Sequence, residues 1–198
     1  MFTINGVFTA EYEVKHSRFV GTVCGVNNKQ DAISFIKAVK TEFNEATHNV
    51  YALILQDENL QKSSDDQEPK GTAGLPILGV LQNNELTNVV AVVTRYFGGI
   101  LLGAGGLVRA YSKTVQLALK NADLVPIKHY INVEIVIDYK LYDAVAFLFP
   151  SYDIIVEKTA FFEKIHINLS VLETHVDDFR ATVFNVCSGN VTWYNEKS

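Results

Sequence analysis

The 198-residue chain is poor in cysteine and proline and has no long uninterrupted apolar run. Its two cysteines, Cys24 and Cys187, stand far apart without the spacing of metal ligands, so we expect two free thiols in a reduced compartment. The most apolar stretch, Val89 to Val108, is interrupted by Arg95 and five glycines, and the first residues do not resemble a secretory signal. We therefore expect a soluble, cytoplasmic protein with no membrane partner.

The composition is that of a folded chain, and its charge is unevenly distributed. Apolar residues make up 48% of the sequence, which excludes a disordered protein. Up to Lys128 there are twelve basic and twelve acidic residues, whereas from His129 onward there are five and ten. Because acidic surfaces repel phosphate backbones, any RNA must bind the first part. The acidic second part is instead a candidate docking surface for a protein partner.

The second part has clear periodicities. Residues 133–139 and 165–171 alternate apolar with polar side chains, as half-buried strands do. Residues 154–159 and 191–194 predict two further strands, and the segments 141–149 and 175–187 predict helices. The resulting order, βαββαβ, is typical of a ferredoxin-like fold with four strands and two helices.

The first part predicts a mixture of strands and helices. Strands are expected at residues 11–15, 18–26, 48–56 and 89–96, and helices at a segment capped by Asn28 and at Leu107 to Ala122. The polar segment 56–74 is expected to be one long loop. Pro126 marks a linker, so we predict an α+β protein with domains 1–128 and 129–198.

The segment FGGILLGAGGLVRAYSK, which begins at Phe97, is the most function-like feature. A strand, a glycine-rich turn and a helix in that order direct backbone N–H groups at an anion. The segment is not a P-loop, because Gly103-Ala104 replaces Gly-Lys, and Val108 replaces the third glycine of a dinucleotide fingerprint. The glycines could equally serve only tight turning and close packing. Candidate anion- or RNA-binding residues are Arg95, Gly98, Gly99, Gly103, Gly105, Gly106, Arg109 and Lys113.

The helix after the turn has a basic face. Arg109, Lys113, Gln116 and Lys120 recur at helical spacing, opposite an apolar stripe that includes Tyr111. This face could follow a phosphate backbone or an acidic protein, or it could be simply solvated.

Four further residues are candidate partners of the turn in a composite site. Asp65, Asp66 and Glu68 could hold a divalent ion, but an ion pair with Arg95 explains them without a cofactor, so we predict neither metal nor cofactor. His48 could act as an acid or a base, although no Ser/His/Asp or Cys/His arrangement has assignable roles. We therefore expect no catalytic residues.

Four segments together resemble the YigZ/IMPACT family: KHSRFVG at 15–21, ATHNVYA at 46–52, SDDQEPKGTAGLPIL at 64–78 and VVTRYFGGILLGAGGLVRAYS at 92–112. The resemblance implies a first domain similar to ribosomal protein S5 domain 2 and translation-factor domain IV, followed by a ferredoxin-like domain. It also implies a role around translation, as in bacterial members that look like ribosome or RNA binders. The RWD domain of eukaryotic members is not expected in this chain.

Two hypotheses about function follow. The first is a non-enzymatic, translation-associated protein that binds RNA, the ribosome or a translation regulator through Arg95, Arg109, Lys113 and the turn. The second is an enzyme or small-anion binder, for which His48, Glu68, Arg95 and the turn would line one concave pocket.

Overall fold

A computed structural model describes residues 1–195, which divide into two compact units. The first unit is Met1–Ile127, and the second begins at Lys128. Each unit has its own buried core. Within the described residues, no helix is long and apolar enough to cross a membrane.

The first unit is built on a five-stranded antiparallel sheet with the order β2-β3-β6-β4-β5. Its strands are β2 (Val7–Val14), β3 (Ser17–Gly25), β4 (His48–Leu55), β5 (Leu60–Ser64) and β6 (Val89–Tyr96). Its helices are α1 (Lys29–Glu42), α2 (Gly74–Asn83) and α3 (Ala104–Lys120). A separate antiparallel pair joins β1 (Phe2–Ile4) to β7 (Leu124–Pro126).

The central strand β6 is buried on both faces, and this explains its run of β-branched residues. Val89, Ala91 and Val93 belong to the core under α2 and α3, whereas Val90 and Val92 belong to the core under α1. Because side chains alternate along a strand, residue 95 lies on the α2 and α3 side. The sheet therefore places the last charged residue of β6 beneath these two helices.

The second unit is a four-stranded antiparallel sheet with the order β11-β8-β10-β9. Its strands are β8 (Tyr130–Ile137), β9 (Ile155–Phe161), β10 (Ile165–Leu172) and β11 (Val191–Asn195). Helix α4 (Tyr142–Ala146) follows β8, and α5 (Val176–Val186) follows β10. The order of elements expected from the sequence is observed, although the helix expected over 141–149 is α-helical only at Tyr142–Ala146, between short 3-10 turns.

Several expectations for the first unit were wrong in detail. The segment 56–74 is not one loop, because it contains β5 and reaches the start of α2 at Gly74. The expected linker contains β7, which pairs with the N-terminal strand β1. Helix α3 begins at Ala104, so Gly105 and Gly106 lie within the helix rather than the turn.

The Asn28 cap of α1 is confirmed, since its Oδ1 accepts from the Asp31 amide at 2.9 Å.

Gly98 of the turn and Gly105 of α3 together test where the turn ends and the helix begins. A Cβ on Gly98 would lie 2.0 Å from the carbonyl carbon of His16, whereas a Cβ on Gly105 would meet nothing within 4 Å. We expect Gly98→Ala to lower the free energy of unfolding by about 1–3 kcal/mol because the backbone must shift. Gly105→Ala should raise it by up to about 1 kcal/mol, because alanine favours the helix. Urea unfolding measures the change in the free energy of unfolding for each variant. Equal changes for Gly98→Ala and Gly105→Ala would contradict the placement of Gly98 in the turn and Gly105 in the helix.

Candidate functional site

The site forms where β6 ends beneath α3. Arg95 of β6 stands opposite Phe19 of β3 and His48 of β4 in the sheet. The chain then turns through residues 97–103 and enters α3. Three strands and one helix start therefore meet at this edge of the sheet.

Arg95 is the buried cation of the site, with 5% of its surface exposed. Its Nη1 donates to Glu68 Oε1 at 2.6 Å, and its Nη2 donates to Ser17 Oγ at 3.4 Å. The guanidinium carbon lies 5.4 Å from the ring centres of both Phe19 and Phe97. Among the described residues, nothing accepts a hydrogen bond from the buried Nε. Arg95 therefore has one buried nitrogen without an acceptor, and its positive charge is matched by Glu68.

Glu68 is the buried anion, and it has two donors. Its Oε1 accepts from Arg95 and from Tyr111 Oη, the latter at 2.7 Å. Burial raises the pKa of Tyr111, and the hydrogen bond to Glu68 raises it further, so the phenol remains a protonated donor. Sequence reasoning placed Tyr111 in an apolar stripe and missed this role. Its residue type could have indicated this role, since a buried tyrosine hydroxyl usually has a hydrogen-bond partner.

His48 has one ring nitrogen fixed by the backbone. Its Nδ1 lies 2.8 Å from the carbonyl oxygen of Asp66. Because a carbonyl can only accept, Nδ1 must donate, which assigns the tautomer. Its Nε2 lies 3.8 Å from Glu68 Oε1, so the ring faces the buried carboxylate.

Asp65 and Asp66 do not join this cluster. Asp65 accepts from the amides of Gly71, Ala73 and Gly74 at 2.8–3.1 Å. The last two of these amides lie at the N-terminus of α2. Asp66 accepts from Lys40 Nζ at 2.8 Å and from the Asn49 amide at 2.7 Å. Within residues 1–195, no group of three or more potential metal ligands is placed to hold an ion. The three carboxylates thus serve three different sets of partners.

Both aspartates have a lowered pKa. Burial raises the pKa of Asp65, but its three backbone amides outweigh that effect and leave the pKa below its usual range. Burial likewise raises the pKa of Asp66, and the bonds from Lys40 and Asn49 bring it below the usual range. Their ionised forms therefore stabilise the folded loop.

A cavity of about 350 Å³ opens above the cluster. His48, Glu68 and Arg95 form its polar part, and the turn contributes Gly103. Its apolar walls come from Pro69, Phe97, Leu101, Leu102 and Leu107. The structure thus brings together the four features that the small-anion hypothesis required in one pocket. We call this pocket the α3 cavity.

The glycines of the turn have different roles. Gly99 and Gly103 have φ angles of +83° and +70°, which side chains disfavour. The Gly98 amide donates to Ser17 Oγ at 3.2 Å, so the turn is tied to the same serine as Arg95. Of the five candidate glycines, Gly103 lines the α3 cavity.

Arg109 and Lys113 lie on a second surface. Both are exposed, as are Gln116 and Lys120 on the same helical stripe. Arg109 Nε donates to the Gly105 carbonyl at 3.1 Å. None of these four residues lines the α3 cavity. The stripe is called the basic face below, and the candidate residues therefore divide between two surfaces of α3.

Comparison with known proteins places the chain in a family. The segment from residue 15 to residue 119 matches the Impact N-terminal domain. The chain belongs to the IMPACT family. This confirms the resemblance seen in the four sequence segments, and the matched region contains both surfaces except for Lys120.

Relatives cover different shares of the chain. The IMPACT family member of Haemophilus influenzae is 37% identical over 189 residues, 91% of this chain and 89% of that protein. YvyE of Bacillus subtilis is 44% identical over 125 residues, which span 63% of this chain and 58% of YvyE. The match to YvyE therefore covers under two thirds of that relative. A crystal structure described as that of a hypothetical protein has 26% identity and a TM-score of 0.67, covering 100% of this chain and 97% of the other.

The contribution of Asp65 to stability should depend on pH. Its folded pKa is below the unfolded value of about 3.9, so its stabilisation is complete above that value and is lost as pH falls through the folded pKa. We expect Asp65→Asn to lower the free energy of unfolding by about 1–3 kcal/mol at pH 7, with a difference that shrinks below about pH 4.

Urea unfolding between pH 2.5 and 7, in roughly half-unit steps, measures this dependence. The control is Asp57→Asn, because Asp57 is exposed and should change stability little. A difference between Asp65→Asn and the wild type that grew on acidification would contradict the assignment.

Proposed function

We propose that this IMPACT-family protein is a non-enzymatic component of translation that binds structured RNA, free or on the ribosome. Family membership supports the connection with translation, and the observation that carries RNA binding is the basic face of α3. The site geometry changes one part of the sequence hypothesis. Arg95 is buried and paired with Glu68, so it is left out of the proposed RNA contact.

The basic face is suited to a phosphate backbone. Helix α3 contains Arg109, Lys113 and Lys120 and no acidic residue. Over the part of the chain that the structure describes, none of these three cations has a carboxylate within 4.0 Å. At 1.5 Å per residue, they span roughly 16 Å of helix. Exposed cations without a carboxylate partner can displace the counterions condensed on phosphates.

The second unit is not assigned to the RNA contact. From His129 onward the sequence has five basic and ten acidic residues, and their net charge would repel a phosphate backbone. Its strand order, β11-β8-β10-β9, supports our proposal of a ferredoxin-like domain. For the first unit we propose the class of ribosomal protein S5 domain 2, on the basis of the family resemblance. A protein partner for the acidic unit remains a separate proposal.

Replacing the cations of the basic face tests the proposal. We expect wild-type protein to co-sediment with ribosomes or bind structured RNA at low salt. The triple variant Arg109→Ala, Lys113→Ala, Lys120→Ala should bind more weakly, and its slope of log affinity against log salt should fall by about 2–3, for three lost phosphate contacts.

The matched control is Lys29→Ala, Lys37→Ala, Lys62→Ala, which removes three exposed cations elsewhere on the first unit. It makes the same change in net charge and should retain most of the binding. Failure of the wild type to bind at low salt, or equal losses in the two triple variants, would count against the basic face.

A further inference from the structure

The start of α3 presents, beside the α3 cavity, three amides that have no hydrogen-bond partner within residues 1–195. Its N-cap is Gly103, and no side chain caps the helix. The first bond of the helical ladder runs from the Leu107 amide to the Gly103 carbonyl at 3.0 Å. The amides of Ala104, Gly105 and Gly106 precede that bond, and they carry the partial positive charge of the helix end. Gly103 and Ala104 themselves line the cavity.

Arg95 provides an independent indication that the cavity accommodates a ligand oxygen. It lines the same cavity with 5% of its surface exposed, and within residues 1–195 its Nε has no acceptor. Unsatisfied buried donors are uncommon because each one costs free energy. The missing partner of an N–H donor is an acceptor, most simply an oxygen.

The charge of the cavity favours an anion. Arg95 and the Tyr111 hydroxyl already compensate the buried Glu68 carboxylate, so it adds little net negative potential. The helix end contributes about half a positive charge. With Arg95 and Glu68 balancing each other, the helix end leaves the cavity slightly positive.

The walls favour a ligand that also has an apolar part. Phe97, Leu101 and Leu107 line the cavity, and Leu101 is 81% exposed at its rim. A volume of about 350 Å³ is larger than a bare oxyanion requires and lies in the range of small-molecule sites. Three consecutive amides at a helix start match the oxygens of a phosphate group.

We propose that the α3 cavity binds a phosphate monoester, with its phosphate at the amides of 104–106 and its organic part against Phe97, Leu101 and Leu107. The phosphate belongs either to a free small molecule or to the terminal phosphate of an RNA strand. The inference is independent of the basic face, because Arg109, Lys113 and Lys120 do not line the cavity.

Ala104→Pro removes one amide while keeping the helix. Residue 104 is the first helical position, where proline is well tolerated, and the Gly103 ψ of 166° suits a residue before proline. Titration of the wild type with phenyl phosphate, followed by amide NMR shifts, should move the signals of 104–106. We expect about tenfold weaker binding in Ala104→Pro, as for the loss of one charge-assisted hydrogen bond. Lys62→Ala, which removes an exposed cation outside both surfaces, should bind phenyl phosphate as the wild type does.

Leu101→Ser tests the apolar wall without touching the amides. It should weaken phenyl phosphate about threefold to tenfold and leave inorganic phosphate unchanged. Two short RNAs that differ only in a 5′-phosphate or 5′-hydroxyl then identify the source. If the phosphorylated RNA binds more tightly and Ala104→Pro removes that difference, the ligand is a terminal RNA phosphate. If the two RNAs bind equally and phenyl phosphate still binds, the ligand is a free small molecule.

Three results would overturn the proposal. One is the absence of shifts at 104–106 with about 10 mM phenyl phosphate, a concentration that would detect even millimolar affinity. Another is unchanged affinity in both Ala104→Pro and Leu101→Ser. The third is equal binding of benzyl alcohol, which would show that the cavity recognises the ring alone. The RNA-binding proposal fails separately, through the two triple variants.

Discussion

The buried ion pair between Arg95 and Glu68 is the interaction on which the site depends. It joins the end of β6 to the loop before α2, and Tyr111 extends the contact to α3. Burying two charges costs several kcal/mol per ion unless each is paired and hydrogen-bonded. Removing one partner therefore leaves an uncompensated charge beneath α3. This constraint explains why a mostly apolar strand can carry an arginine next to its last residue, and why the partner of that arginine lies in the polar segment between β5 and α2.

Helix α3 presents two surfaces beside this pair. Its buried side includes Tyr111 and packs into the core of the first unit, whereas Arg109, Lys113 and Lys120 are exposed. Its N-terminal end opens into the α3 cavity without a capping side chain. The first is the exposed surface that we propose for an RNA backbone, and the second is the open cavity that we propose for a single phosphate group. The sequence hypothesis treated them as one composite site, whereas the structure separates them.

Much of the fold followed from periodicity, and much of the site did not. Strand β6, helix α1 with its Asn28 cap and the element order of the second unit were predictable because local patterns determine them. The pairing of Arg95 with the Asp65–Glu68 segment was also anticipated, since a buried cation needs an anion. The choice of Glu68 rather than Asp65 or Asp66 depends on register and loop shape. The contacts of Ser17 and Tyr111 span 78 and 43 residues, and no local pattern reports them. Strand β5 was missed because LQKSS is too polar to show the alternation of a strand.

A double-mutant cycle on Arg95→Met and Glu68→Gln tests the central interaction most directly. Free energies of unfolding for the wild type, both single variants and the double variant isolate the coupling between the two side chains. We expect each single variant to lose about 3–5 kcal/mol and the double variant to lose clearly less than the sum, because it buries no unpaired charge. Losses that add to within about 0.5 kcal/mol would show that the two side chains act independently. That result would contradict the dependence of the site on the ion pair.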